Sequence, residues 1–360
     1  MAREIAEIET VRSPDSLDDE LAELAAGDIG PTSAGRPAGE TTPSSVPHRW
    51  FGPGAVRERV RAILPPLLGI GIFLLAWAAV APQVKTSLGS LPGPSQVASQ
   101  GTSLYREWRA ASAEEARFYR DQTQRNAALA AEGRSSQVQH FKYSGPPTFV
   151  DQIWTSLRTV GLGFSLATLI GVSVGLIGGL SKTFRAAINP LVQIMKPVSP
   201  LAWLPIVTMV ISATVTSNNP LLPKSFLISA IVVALCSVWP TLINTSVGAA
   251  AVDQDLMNVA RVLKLGWFAR LRKVVIPSAL PYIFTGMRLS LGVGWMVLIA
   301  AEMLSQNPGL GKFVWDQFQN GSSQSLARIM FAVFVIGFLG YTLDRIMSGL
   351  QKLASRNHVV

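Results

Sequence analysis

Six apolar runs, each close to the roughly 20 residues a helix needs to cross a bilayer, leave this chain little choice of fold. They cover residues 63–80, 154–180, 188–213, 225–243, 282–304 and 327–350. Lipid offers no partner for backbone N–H and C=O groups, so runs of this length must be helical. The expected fold is all-α and integral to a membrane, with about six transmembrane helices. Only 15% of the 360 residues are charged, well below the roughly 25% of soluble domains. The basic residues gather beside the apolar runs. Arg49, Arg57, Arg59 and Arg61 precede the first, Lys182 and Arg185 follow the second, and Lys352 and Arg356 follow the last. Lys224 and Lys312 stand alone in the short loops of the opposite side. The positive-inside bias then puts both termini in the cytoplasm. The formal charge of +9 is read as orientation and contact with anionic lipid, not as nucleic-acid binding.

The residue inventory offers little for catalysis. Cys236 is the one cysteine and lies inside an apolar run, so no intrachain disulfide can form. The three histidines, His48, His140 and His358, fall outside the runs, leaving almost no material for a metal site. No Ser-His-Asp set, paired-acid motif or phosphate-binding glycine loop is visible. A membrane-embedded enzyme would need titratable groups converging between spans, and only Lys196, Glu302 and Arg158 are available.

The chain divides into five stretches. Residues 1–48 are acidic at first (Glu4, Glu7, Glu9, Asp18, Asp19, Glu20), then rich in Pro, Gly, Ser and Thr. They bury too little to order themselves and are expected to form a disordered cytoplasmic tail, with a short helix over 16–26 capped by Ser16. Residues 49–81 hold the first span, with Pro65 and Pro66 expected in its first turn, where a missing N–H costs least. Residues 82–152 form an external, periplasmic insert. It opens on the rigid turn Leu91-Pro92-Gly93-Pro94 and continues through the Ala-rich, proline-free 105–139 as helix. This insert reads as a solvated helical hairpin or as a contact for an external partner. Residues 153–350 form the transmembrane core, where Gly171, Gly175 and Gly179 recur every four residues as a close-packing face. Gly286, Gly292 and Gly294 suggest the same in the fifth run. Residues 351–360 form a second cytoplasmic tail.

Between the fourth and fifth runs lies a basic loop, 248–281, carrying Arg261, Lys264, Arg270, Arg272 and Lys273 and closing on Pro277 and Pro281. Within it, 253–265 lacks Pro and Gly, and Leu256, Val259, Leu263 and Leu265 recur at roughly helical spacing. The result is a short helix with an apolar stripe, laid either on the lipid surface or on a partner protein.

This loop resembles the EAA loop of permease subunits of binding-protein-dependent ABC importers: Glu-Ala-Ala, three residues, Gly, nine residues, Ile-x-Leu-Pro. Asn258-Val259-Ala260 falls at Glu-Ala-Ala, Lys264 at the Gly, and Val274-Val275-Ile276-Pro277 at the end. The neighbouring NVARVLKL and LPYIFTGMRLSLGVGWMVLIAAEML are similar to the nitrate-type branch of the nitrate, sulfonate, taurine and bicarbonate permeases. The likeness covers about 91–94 and 153–347. It implies a type I ABC importer-like fold with a cytoplasmic coupling helix in a bacterial inner membrane. It also implies a second permease copy, cytoplasmic ATP-binding subunits and a periplasmic substrate-binding protein. No cofactor is implied for this chain, since ATP is used by the partners. The substrate implied is a small inorganic anion, nitrate or nitrite; sulfonate, taurine or bicarbonate are alternatives within the family. A secondary transporter or channel is the alternative of another class. Contacts to the ATPase would come from Asn258, Val259, Ala260, Arg261, Lys264 and Leu265.

The third run carries Lys196, Pro197, Ser199, Pro200, Trp203 and Pro205 within ten residues. Prolines free backbone carbonyls, which lipid tolerates only beside protein or a water-filled cavity. This run is therefore expected to line the path. Lys196 either attracts a small anion there, with Ser199 and Trp203 nearby, or snorkels to the membrane surface. Glu302 is the other charge assigned to the path. Pairing with Arg288 is excluded by fourteen residues of helix, about 21 Å. Arg158 is its expected partner, the alternative being a hydrated carboxylate at the membrane interface.

Overall fold

The computed structural model describes residues 53–86, 89–216 and 222–356. The tail at 1–48 and its expected helix at 16–26 lie outside the described residues. In chain order the elements are α1 (Pro53–Val80), a two-residue ladder of β1 (Lys85–Thr86) with β2 (Gly89–Ser90), α2 (Pro94–Ala131), α3 (Phe149–Leu180), α4 (Lys182–Met195), α5 (Pro200–Thr214), α6 (Lys224–Ala250), α7 (Gln254–Val262), α8 (Trp267–Ser305), α9 (Leu310–Asn320) and α10 (Ser323–Arg356). Helix α1 begins at Pro53, so Pro65 and Pro66 sit inside it rather than in its first turn. The chain divides into two units between those prolines, and the second, Pro66–Val360, contains the packed bundle.

Helix α6 is the central element of that bundle and packs most extensively against α3 on one side and α8 on the other. Its interface with α3 is built on glycine. A Cβ at Gly163 would lie 2.6 Å from the Ala230 carbonyl, at Gly171 3.0 Å from Thr241, and at Gly175 2.7 Å from the Leu242 carbonyl. The backbones thus meet where no larger residue fits, as the four-residue spacing predicts. Gly286 likewise faces α6, at 3.0 Å from the Pro240 carbonyl, but Gly292 meets nothing within 4 Å.

A side-chain hydroxyl bridges α6 beside Pro240. Proline removes the bond to the Cys236 carbonyl and crowds it, and the Ser290 hydroxyl of α8 enters the adjacent turn. It donates to the Ser237 carbonyl at 2.5 Å and accepts the Thr241 N–H at 3.1 Å. Ser237, Thr241 and Ser290 are all fully buried, so this insertion satisfies groups that lipid could not. Helix α8 is also joined to α10, through a bidentate pair of Arg288 with Asp344 at 2.6 and 2.9 Å.

Five helical segments are long and apolar enough to cross a membrane: Leu64–Gln83, Phe149–Leu180, Lys224–Ala250, Trp267–Ser305 and Gln324–Ala354. The remaining run, 188–213, does not form one straight span as expected. It is split into α4 and α5, which meet at a 102° bend. Ser199, preceding Pro200, takes the extended conformation that a following proline favours, and its hydroxyl caps α5 by accepting the Leu201 N–H at 3.3 Å. The expected hairpin of the insert is instead one 38-residue helix, α2. It starts at Pro94, with Gln96 accepting the Gly93 N–H, and stops before Gly133, whose φ is +75°.

Candidate functional site

Three places gather the residues that sequence reasoning singled out, or their neighbours. Two lie at opposite ends of α3: Ser156 and Leu176 are separated by twenty residues, about 30 Å of helix.

At one end the Glu302 carboxyl is fully buried. Ser156 of α3 donates its hydroxyl to it, at 2.9 and 2.8 Å from the two oxygens. The Gly311 N–H donates to Oε2 at 3.0 Å, and the Asn307 amide reaches Oε1 at 3.4 Å. Ser156 in turn accepts the Leu310 N–H at 2.8 Å. Two first-turn N–H groups of α9 are thereby capped, and the positive end of its dipole faces a carboxyl group. Gly309 and Gly311 permit the approach: a Cβ on Gly309 would collide with the Glu302 carboxyl, and one on Gly311 with the Ile299 carbonyl. Arg158 is not the partner. Its guanidinium lies over the Trp154 ring at 5.1 Å. Nor is Glu302 hydrated at an interface, since it has no exposed surface. The partners escape sequence reasoning because they are uncharged and Ser156 is 146 residues away. The run Pro308-Gly309-Leu310-Gly311 is a signal, but it reads as a turn until the acid six residues earlier is placed against it.

The second place is the break between α4 and α5. Lys196 caps the C-terminus of α4, with its N–H bonded to the Val192 carbonyl at 2.9 Å, and its side chain is exposed. Pro197, Ser199 and Pro200 form the corner. Trp203 follows in the first turn of α5, half-buried, with an indole N–H that finds no acceptor among the described residues. The bend thus brings Lys196, Ser199 and Trp203 to one corner, while Glu302 belongs to the α9 cluster.

The third place is α7, at the other end of α3. Asp253 caps it by accepting the Asp255 N–H at 2.8 Å. Its C-terminus closes in two bonds, Leu265 N–H to the Ala260 carbonyl at 3.0 Å and Lys264 N–H to the Arg261 carbonyl at 2.9 Å. This pattern needs a left-handed residue between helix and exit, and Lys264 supplies it with φ +49°. A position where glycine is favoured is therefore left-handed even with lysine in place. Ala260 is buried and Met257 packs with Leu176, Val252 and Val275. The opposite face is open: Leu256, Val259 and Leu263 are exposed, as is Val262 at 81%. Leu265 is half-buried. Trp267 and Phe268 extend this apolar face, although the helical spacing of 253–265 does not reach them. Asn258 accepts from Arg261 at 3.1 Å on the exposed side. Just beyond, α8 widens into a π turn at Leu271–Val275. Pro277 has no N–H for the Lys273 carbonyl and its ring crowds that group; the wide turn ahead of it accommodates both.

Comparison with known proteins fits these features. A family model described as "binding-protein-dependent transport system inner membrane component" matches residues 167–356. The nitrate import permease protein NrtB of Synechococcus elongatus is 37% identical over 204 residues, 57% of this chain and 69% of the relative. The bicarbonate transport system permease protein CmpB of the same organism is 35% identical over 306 residues, 84% of this chain and 92% of the relative. A putative aliphatic sulfonates transport permease protein, SsuC of Bacillus subtilis, is 33% identical over 180 residues, 49% of this chain and 61% of the relative.

Proposed function

We propose a function from one premise: the chain belongs to the family of binding-protein-dependent transport system inner membrane components. It is the multi-pass permease subunit of an ATP-driven importer of a small inorganic anion, nitrate in the first instance. Two copies form the path in the type I arrangement, both termini are cytoplasmic, and ATP is hydrolysed on separate subunits. A binding protein delivers the anion from outside.

The observation that carries this reading is the open apolar face of α7. Leu256, Val259, Val262 and Leu263 are exposed on a helix whose other side is packed into the bundle. A face of that kind, rimmed by Asn258, Arg261 and Lys264, suits a groove on a partner protein. Ala260 and Leu265 act from behind it, Ala260 by permitting the close approach to the bundle. Motion of α7 is passed to α3 and α8 through Met257 and the wide turn at Leu271–Val275. The corner at Lys196, Pro197, Ser199, Pro200 and Trp203 borders the path. A cation beside the first turn of α5 suits an anion. Glu302 serves the path indirectly, by fixing α9 against α3 and α8.

Bicarbonate is the second reading. The relatives named for bicarbonate match through most of this chain's length, whereas those named for nitrate match about 200 residues of it. Sulfonate or taurine remains the alternative within the family. The test is uptake into proteoliposomes holding the permease with its ATP-binding subunits, supplied with binding protein and labelled nitrate, bicarbonate or taurine. Accumulation of nitrate that requires both ATP and binding protein is expected. Preference for bicarbonate or taurine moves the substrate; accumulation without ATP would make the chain a secondary transporter or channel.

A further inference from the structure

Helices α8 and α10 change the way they meet partway across the membrane. Toward the Ser305 end of α8 the contact is tight. The Trp295 indole donates to the Ile336 carbonyl at 3.1 Å, and a Cβ on Gly340 would lie 2.8 Å from the Trp295 ring. Two turns along α8 the contact becomes polar and open. Arg288 donates from Nε and one terminal nitrogen to the two Asp344 oxygens. One turn further along α8, the Thr285 hydroxyl accepts from Gln351 at 3.2 Å. Neither ion is enclosed: the Arg288 side chain is 44% exposed and that of Asp344 35%.

Such exposure is out of place at this depth. Arg288 is seventeen residues from the end of its span at Ser305, and Asp344 ten from the end of its span at Ala354, about 26 and 15 Å of helix. Ionised groups within a span face the bundle interior or a water-filled cavity, not lipid. Arg288 is not free to snorkel, because both bonds to Asp344 hold its head at the level of the pair. The pair is also incompletely matched. A guanidinium has five N–H groups; Asp344 takes two, and the other three have no acceptor among the described residues. Arg345, next to Asp344, is exposed, with its guanidinium 4.8 Å from the Tyr341 ring centroid. Two cations thus stand against one carboxylate in this layer, and the spare donors suit an anion.

We propose that Arg288 is an anion-binding residue of the translocation path, taking the transported anion on the N–H groups that Asp344 leaves free. This rests on the importer reading, which supplies a small anion. Helix α8 also packs on α5, whose first turn borders the proposed path. Asp344 has two effects. It neutralises Arg288 while the site is empty, and it weakens the hold on an anion that must leave as readily as it enters. A planar fork of N–H donors fits the oxygens of nitrate, bicarbonate or a sulfonate, so the site selects for an oxyanion and not among oxyanions.

The test uses the transporter reconstituted with its ATP-binding subunits and binding protein. Arg288 is expected to react with a water-soluble glyoxal, read by peptide mass spectrometry. Sodium nitrate is expected to slow that reaction about threefold or more relative to sodium gluconate at equal ionic strength. R288Q/D344N keeps a hydrogen-bonding but neutral pair. It is expected to melt as wild type does and to keep ATP hydrolysis stimulated by binding protein, while anion uptake per ATP falls about tenfold or more. D344N frees the guanidinium and is expected to strengthen the protection of Arg288 by nitrate, a change that a merely bracing pair would not give. An unreactive Arg288 is covered by lipid or by a second copy, and that result overturns the site. Reaction that nitrate does not slow overturns it too, as does wild-type uptake by R288Q/D344N. Should R288Q/D344N melt early, D344N decides, and protection that is unchanged or weaker overturns the site. A wild-type transporter that accumulates neither nitrate, bicarbonate nor taurine removes the importer reading, whereas protection of Arg288 is read independently of uptake.

Discussion

Ser156 on α3 donates its hydroxyl to the buried carboxyl of Glu302 on α8 at 2.8 Å and simultaneously accepts the Leu310 N–H of α9 at 2.8 Å. One small side chain therefore joins three helices. Removing it strands the Leu310 backbone donor and takes one donor from the buried carboxyl. Ser156→Ala is expected to cost about 1–3 kcal/mol, the penalty for leaving buried groups unpaired. Thermal unfolding in detergent checks it. Glu302→Gln adds a contrast: its amide group keeps one acceptor but faces donors with a donor. It is expected to be destabilising as well, whereas Arg158→Ala should leave this cluster intact. Normal melting of both Ser156→Ala and Glu302→Gln would show that the cluster contributes nothing.

The α3–α6 contact makes an equally sharp test. Gly175→Ala places a Cβ 2.7 Å from the Leu242 carbonyl, a backbone atom that cannot move aside alone. The two helices must part, at a cost of about 1–3 kcal/mol. Gly161→Ala, on the same helix, meets nothing within 4 Å. It should stabilise by up to about 1 kcal/mol through helix propensity alone. Opposite signs for two identical substitutions on one helix are the expected result, read as shifts in melting temperature. A shared sign would mean that packing does not set the outcome.

These two cases also divide what the sequence discloses from what it withholds. The glycine face is periodic, so Gly171 and Gly175 announce their role without a structure. The prolines at 197, 200 and 205 announce a weakened helix. Which way the chain then turns depends on the Ser199 backbone and on what α5 packs against, and neither is written locally. The Glu302 cluster is harder still. The carboxyl's partners are a serine 146 residues distant, an asparagine amide and one peptide N–H, and peptide groups have no sequence signature. The length of α2 is hidden for a simpler reason. Arg- and Ala-rich helix can fold back as a hairpin or run on as one rod, and the bonds along the rod's far half, between Gln122 and the Phe141 backbone, join residues nineteen apart.

Lys264 offers a prediction in the stabilising direction. Its φ of +49° costs a non-glycine residue free energy, about 1–2 kcal/mol by chirality, part of which glycine would return as lost backbone entropy. Lys264→Gly is expected to tighten the α7 C-terminus by about 0.5–1 kcal/mol. Hydrogen exchange at the Leu265 amide, bonded to Ala260, should then slow by a few fold. Lys264→Val is expected to speed that exchange, because a branched side chain is poorly accommodated in the left-handed region. If both variants exchange as wild type does, the left-handed turn is not a point of strain.

The remaining prediction concerns the exposed face of α7. Val262 is 81% and Leu263 64% exposed, so neither supports the permease fold, and exposed substitutions of this kind change stability by about 0.5 kcal/mol or less. V262D/L263D is therefore expected to melt as the wild type does. It should nevertheless fail to co-purify with the ATP-binding subunits, because two carboxylates would be driven into an apolar groove without partners. ATP-driven uptake should be lost with that contact. The lipid-surface reading of the same helix gives a different result. Aspartates there would weaken contact with vesicles, and the ATP-binding subunits would copurify in normal amount. Co-purification with V262D/L263D thus separates a helix held by a protein from one resting on lipid, and normal recovery of the subunits would leave α7 without its proposed role in coupling.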